Sequence, residues 1–148
     1  MEFRDALRAV FGRLRQRAVT QWFIDMVEKH DIRPLFGGYD AALSGYWIEE
    51  MRDYGFDFEK IRQGPYTWTY PLKRLGGLFE EHKIVSNNNP MLRWCVLNTG
   101  VKSTNPDGIA SIQPVKTGKT KRIDGLVSLL NAYTCYCNHE DELSRFWR

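Results

Sequence analysis

The chain is short of the features that identify a protein quickly, and each shortage closes a class. Cysteine is scarce: Cys95, Cys135 and Cys137 are an odd number, and no secretory signal pattern precedes them. A disulfide framework is therefore not expected, and a reducing compartment is. No stretch approaches the roughly 18 consecutive apolar residues of a membrane span. The three histidines, His30, His82 and His139, fall at expected helix ends or in a polar tail, and no Gly-x-Ser-x-Gly occurs. A hydrolase triad thus has nothing to rest on. Gly118-Lys119-Thr120 imitates the end of a phosphate-binding loop, but Gln113 stands where that motif needs its first glycine. Single-sign charge is lacking too, since the net charge is only +3. Such a balance tolerates nucleic acid as a partner without demanding it.

What remains is the composition of an ordinary soluble domain. At 148 residues, 43% hydrophobic and 26% charged, the chain can bury one core and is not expected to be disordered. Aromatic residues reach 14%, and rings spread this evenly serve core packing before base stacking. Two basic clusters stand out. Arg4, Arg8, Arg13, Arg15 and Arg17 crowd the N-terminus, where a solvated helix face explains them as well as DNA does. Lys116, Lys119, Lys121 and Arg122 crowd one later segment. Cys135-Tyr136-Cys137-Asn138-His139 offers metal-binding side chains, but no second ligand pair follows at zinc-like spacing. Two cysteines packed on a helix is the stronger reading.

Apolar residues set out the elements. Phe3, Leu7, Val10, Phe11 and Leu14 recur at helical spacing, and Val19, Trp22, Phe23, Met26 and Val27 form a second helix or continue the first. Pro34 predicts a stop before it. The 34–39 segment, with Gly37 and Gly38, reads as a short buried strand ending at Asp40. Ser44 suits the cap of a helix through Trp47, Ile48, Met51 and Tyr54 that ends at Gly55. Residues 57–62 alternate as a strand, closed by Gln63-Gly64-Pro65. Pro71 suits the first turn of the next helix, and Asn89-Pro90 caps another. Asn105-Pro106-Asp107-Gly108 predicts a hairpin turn. A last helix starts near Arg122 with Ile123, Leu126, Val127, Leu130, Tyr133 and Cys137 on its buried face, and the tail from Asn138 is expected to fray. Strands alternate with helices, without repeat or linker: one α/β or α+β domain.

Two carboxylates could carry chemistry. Asp40 ends a strand, where open α/β sheets present ligand-binding crevices; it could equally be a turn residue accepting local backbone bonds. Asp124 opens a helix after a basic loop, and its favourable interaction with the helix dipole, about 0.3–1 kcal/mol, is sufficient reason for an acid there. The functional alternative is that both bind divalent metal. Paired cations supply charge neutralisation and an activated water to phosphodiester hydrolysis, and oxygen ligands suit Mg2+ or Mn2+.

The segments add up to a resemblance. Trp22-Phe23, Phe36-Gly37-Gly38-Tyr39-Asp40, Arg62-Gln63-Gly64, Pro71-Leu72-Lys73-Arg74-Leu75, Asn89-Pro90-Met91-Leu92-Arg93-Trp94 and Lys121-Arg122-Ile123-Asp124-Gly125 resemble, in order, landmarks of the tailed-phage terminase large subunit family over residues 19–137. The resemblance implies a ribonuclease-H-like α/β fold, a mixed sheet flanked by helices, lacking its opening strands and the ATPase motor. It implies a nuclease that cuts concatemeric double-stranded DNA during packaging, using Mg2+ or Mn2+ in a two-metal site. Asp40 and Asp124 match the second and third of the family's three acidic ligands; the first has no match here. Implied partners are double-stranded DNA, contacted through Lys116, Lys119, Lys121 and Arg122, the ATPase domain, the small terminase subunit and the portal, with no membrane; the setting is the bacterial host cytoplasm. The expected organisation is one nuclease-type domain with an atypical basic helix over 1–18 and a polar tail over 138–148. A second reading, a non-catalytic remnant that binds DNA or a packaging partner, stays open. Residues 34–39 and 57–62 should share a central sheet, with Asp40 and Asp124 facing one crevice.

Overall fold

Spacing of apolar residues and the placement of prolines account for most of the architecture in the computed structural model, which describes the backbone of residues 3–40, 45–104 and 111–146. The elements run α1 (Phe3–His30), β1 (Gly37–Tyr39), α2 (Gly45–Asp53), β2 (Phe58–Lys60), α3 (Pro65–Glu80), α4 (Pro90–Leu97), β3 (Thr99–Ser103), β4 (Ile112–Lys116), α5 (Asp124–Asn138) and α6 (Glu140–Leu143). They fall into two compact units, one of Met1–Gly37 with Ala41–Phe58 and the other of Gly38–Asp40 with Glu59–Arg148.

In the first unit α1 is one continuous helix, so the two expected segments are one. It ends four residues before Pro34, where Asp31 turns into the left-handed region (φ 52) and the Ile32 N–H returns to the Met26 carbonyl. Asp is among the few residue types that enter this region readily. Phe23 meets the rings of Trp47, Phe56 and Phe58 at centroid distances of 6.1, 5.8 and 5.5 Å. Met51 is fully buried on α2 and Ile48 nearly so. Thr20 donates from its hydroxyl to Glu50 at 3.1 Å, fastening α1 to α2. The α2 helix stops at Gly55, as expected, with the Phe56 N–H reaching back to the Met51 carbonyl. Ser44, expected as its cap, lies outside the described residues.

The strands β1 and β2 pair as expected, each only three residues long. The Gly37 N–H donates to the Asp57 carbonyl and the Ile61 N–H to that of Tyr39. These bonds climb both strands in one direction, as in a parallel ladder. The hairpin also forms: β3 and β4 pair antiparallel, with Thr99 opposite Lys116 and Ser103 opposite Ile112. It makes a second two-stranded sheet instead of joining the first. Its expected turn, residues 105–108, lies outside the described residues.

In the second unit α3 begins at Pro65, not Pro71. Pro65 takes the first-turn position, where a missing N–H costs nothing, while Pro71 lies inside the helix and is buried. Tertiary packing has overridden the local cost of an interior proline. Trp68, Leu75 and Leu130 form the core, joined by Leu72, Val127 and Tyr133. Thr69 ties α3 to β4 by exchanging bonds with Ile112: its hydroxyl accepts from the Ile112 N–H at 2.9 Å and donates to the Ile112 carbonyl at 3.3 Å. Helix α4 opens on Asn89, whose Oδ1 accepts from the Met91 and Leu92 N–H groups at 3.0 and 3.1 Å.

The segment after Asn138 is not frayed. It forms α6, and Arg74 grips Glu140 with both guanidinium nitrogens, each at 2.5 Å. A two-pronged arginine–carboxylate pair is geometrically demanding, which explains the order of this polar segment. Hydrogen bonding from Arg74, outweighing partial burial, holds the Glu140 carboxyl below its ordinary pKa. A carboxylate depressed in this way adds stability that is fully present above its unfolded pKa and is lost as the pH falls through the folded value. Glu140→Gln should therefore lower the thermal midpoint at neutral pH, and parent and variant midpoints should converge in acid. A gap independent of pH would leave the pair without an electrostatic role.

Candidate functional site

The two acids singled out by sequence both lie in the second unit, at the ends of elements and exposed to solvent. Asp40 follows β1 directly. Gln63, just beyond β2, donates from Nε2 to Asp40 Oδ2 at 2.6 Å. The strand end is itself set against α5: a Cβ on Gly38 would lie 2.8 Å from Ile61 Cγ1 and 2.9 Å from the Asn131 carbonyl oxygen. Only glycine allows that approach. Gly38 thus places the strand carrying Asp40 on the helix that Asp124 opens.

Asp124 is the first residue of α5, whose N-cap, Ile123, supplies no side-chain bond. Its carboxylate stands in the first turn, where the helix dipole favours negative charge. Beside it is a cleft of about 460 Å³ whose lining includes Met91 and Trp94 from α4 together with Arg122 and Asp124. Close packing of α4 on α5 shapes this cleft. A Cβ on Gly125 would come within 3.1 Å of Cys95 Sγ, so the glycine next to the acid lets the helices meet. Asp40 is not part of this lining. Among the described residues neither aspartate belongs to a group of three metal-ligating side chains; that arrangement occurs at Glu59, Cys135 and His139.

The basic segment is brought together as a loop. Lys116 ends β4, Lys119 lies in the turn that follows, and Lys121 and Arg122 lead into α5, all four exposed. Of these, Arg122 shares the cleft with Asp124. One buried residue holds both ends of the loop. Asn98, at the C-cap of α4, accepts at its carbonyl from the Thr117 N–H and hydroxyl, each at 3.0 Å. Its Nδ2 donates to the Arg122 carbonyl at 3.2 Å. Neither Asn98 nor Gln63 was expected from sequence to shape the site. A polar amide at an element end is too common a signal to single out, although Gln63 does fall within a landmark of the resemblance.

A sequence profile described as the terminase large subunit, endonuclease domain, matches residues 23–140. The fold is similar to the crystal structure of the HK97 bacteriophage large terminase, with a TM-score of 0.67 and 17% identity, over 80% of this chain and 24% of that one. The chain therefore spans about a quarter of that protein's length. Comparison with curated proteins gives no match.

The Asn98 clamp can be tested directly. Asn98→Ala removes the bond to Arg122 and should cost about 1 kcal/mol in urea unfolding. Amide exchange across residues 117–122 should speed up more than in α5. Unchanged exchange in that loop would show that the Asn98 side chain does not hold it.

Proposed function

This chain belongs to the terminase large subunit endonuclease-domain family, and from that premise we propose that it is a metal-dependent nuclease domain that cleaves double-stranded DNA during phage genome packaging. The observation that carries the reading is the family match across residues 23–140, which includes Asp40 at a strand end and Asp124 at a helix start beside a basic loop. The ribonuclease-H-like α/β fold fits it.

The donor set fits a hard divalent cation. Asp40 and Asp124 offer exposed carboxylate oxygens, and Mg2+ or Mn2+ accept one or two carboxylates while keeping water and substrate phosphate as further ligands. When bound, such an ion supplies charge neutralisation at the scissile phosphate and an activated water. Asp40 and Asp124 would hold it. Gln63 holds one oxygen of Asp40 and so steadies the carboxylate at the strand end. Arg122 offers a guanidinium beside Asp124 for a phosphate oxygen. Lys116, Lys119 and Lys121 are exposed point charges suited to backbone phosphates farther along the duplex. The ATPase domain, small subunit and portal would be this domain's partners in packaging.

Two experiments test this reading. Supplied with Mn2+, the purified chain should nick plasmid DNA slowly, and Asp124→Asn or Asp40→Asn should each abolish nicking without changing the circular dichroism. Asparagine keeps the shape and one acceptor oxygen but removes the charge that holds the cation. Nicking that survives both substitutions would refute the assignment of the site. DNA binding without any nicking would favour the binding-module reading. The second experiment is the salt dependence of DNA affinity. Binding should be largely indifferent to sequence and weaken steeply with salt. Changing Lys119 and Lys121 to alanine should flatten the slope by about one unit per lost phosphate contact; equal slopes would mean that these lysines are merely solvated.

A further inference from the structure

Helix α5 carries a second arrangement of ligand atoms, at the opposite end from Asp124. Cys135 lies in the last turn of α5 and His139 is its C-cap, the His139 N–H reaching back to the Cys135 carbonyl at 3.2 Å. Glu59 of β2 comes up against them. One ligand atom from each of Glu59, Cys135 and His139 lies within 4.8 Å of the other two. A tetrahedral zinc with bonds of about 2.0–2.3 Å separates its ligand atoms by about 3.3–3.8 Å. Closing the difference takes about 1 Å, within reach of the Glu59 side chain, which is about one-third exposed. Cys135 is a buried thiol outside any disulfide.

The surroundings orient these groups as a metal site requires. His139 has Nε2 3.7 Å from Glu59 Oε1 and Nδ1 3.6 Å from Glu142 Oε2. A metal bound at Nε2 would leave Nδ1 on the side of Glu142. In metal sites a carboxylate placed on that side of a ligating histidine orients the ring, and Glu142 stands where it could take that part. Asn138 donates from Nδ2 to Glu59 Oε1 at 3.0 Å, which steadies that carboxylate beside the end of α5. We infer that Glu59, Cys135 and His139 bind a zinc-like divalent ion, with solvent as fourth ligand, clamping β2 to the end of α5. A thiolate and an imidazole select a borderline-soft metal over Mg2+, so this site is chemically distinct from the one at Asp40 and Asp124. On binding, Cys135 gives up its thiol proton to solvent and no redox change occurs.

Co2+ reports such a site because a thiolate ligand adds a charge-transfer band in the near ultraviolet. The whole chain titrated with Co2+ should show that band, saturating at one ion per chain, and Zn2+ should bleach it. Excess Mg2+ should leave it intact. Cys135→Ser should remove the band, Cys137→Ser should keep it, and Glu142→Gln should weaken binding about 10–100-fold while keeping it. Zn2+ should raise the thermal midpoint of the parent but not of Cys135→Ser. Should Cys135→Ser not fold, as judged by circular dichroism, Glu59→Gln replaces it, with weakened Co2+ binding the expected result. Absence of the band in the parent, its survival in Cys135→Ser, unchanged binding in Glu59→Gln, or displacement of Co2+ by Mg2+ would each overturn the proposal.

Discussion

Leu130 is the contact on which the second unit depends. It has no exposed surface and packs with Trp68 and Leu75 of α3, so α5 is held by its middle. Burying a leucine side chain contributes about 1.5–3 kcal/mol, more than any exposed ion pair nearby. Because the grip is central, both ends of α5 are free to carry chemistry. Asp124 stands at the start, where the dipole favours an anion, and Cys135 and His139 stand at the finish. The Thr134 hydroxyl donates back to the Leu130 carbonyl at 2.7 Å, so even the polar residue in this core is absorbed within the helix.

The core accepts some polar cost in return. Trp68 Nε1 and Asn131 Oδ1 are buried without a hydrogen-bond partner, each a penalty of about 1–3 kcal/mol. Helix position is therefore set by apolar fit, with polar satisfaction second. The same priority explains Pro71 inside α3: its ring is buried in the packed face, and the lost backbone bond is tolerated. Specific polar bonds govern the loops instead. Asn98 fixes the basic loop, Gln63 fixes Asp40, and Arg74 fixes the segment after α5.

Much of this was legible in local patterns. Asn89-Pro90 has one physical solution, a side-chain cap followed by a proline whose missing N–H is not needed, and it forms as read. Gly55 ends α2 for an equally local reason. Pro65 and Pro71 both satisfy the local rule for starting a helix; α3 starts at Pro65 and not at the expected Pro71, because only packing separates them. The tail was misread similarly. Nothing near Glu140 indicates order, because its partner, Arg74, lies on another helix.

The sequence by itself determined the family, the helix starts and stops that follow from caps and glycines, and which two carboxylates end elements. These depend on residues within a few positions of one another, or on an ordered set of short segments. Only the tertiary structure decided what stands beside each acid: Gln63 at Asp40, Arg122 and Trp94 at Asp124. It also decided that Glu59 completes the pair that Cys135 and His139 begin. Such meetings are set by how strand and helix close over Leu130, and helical or strand periodicity carries no record of which side chains will face one another across that closure.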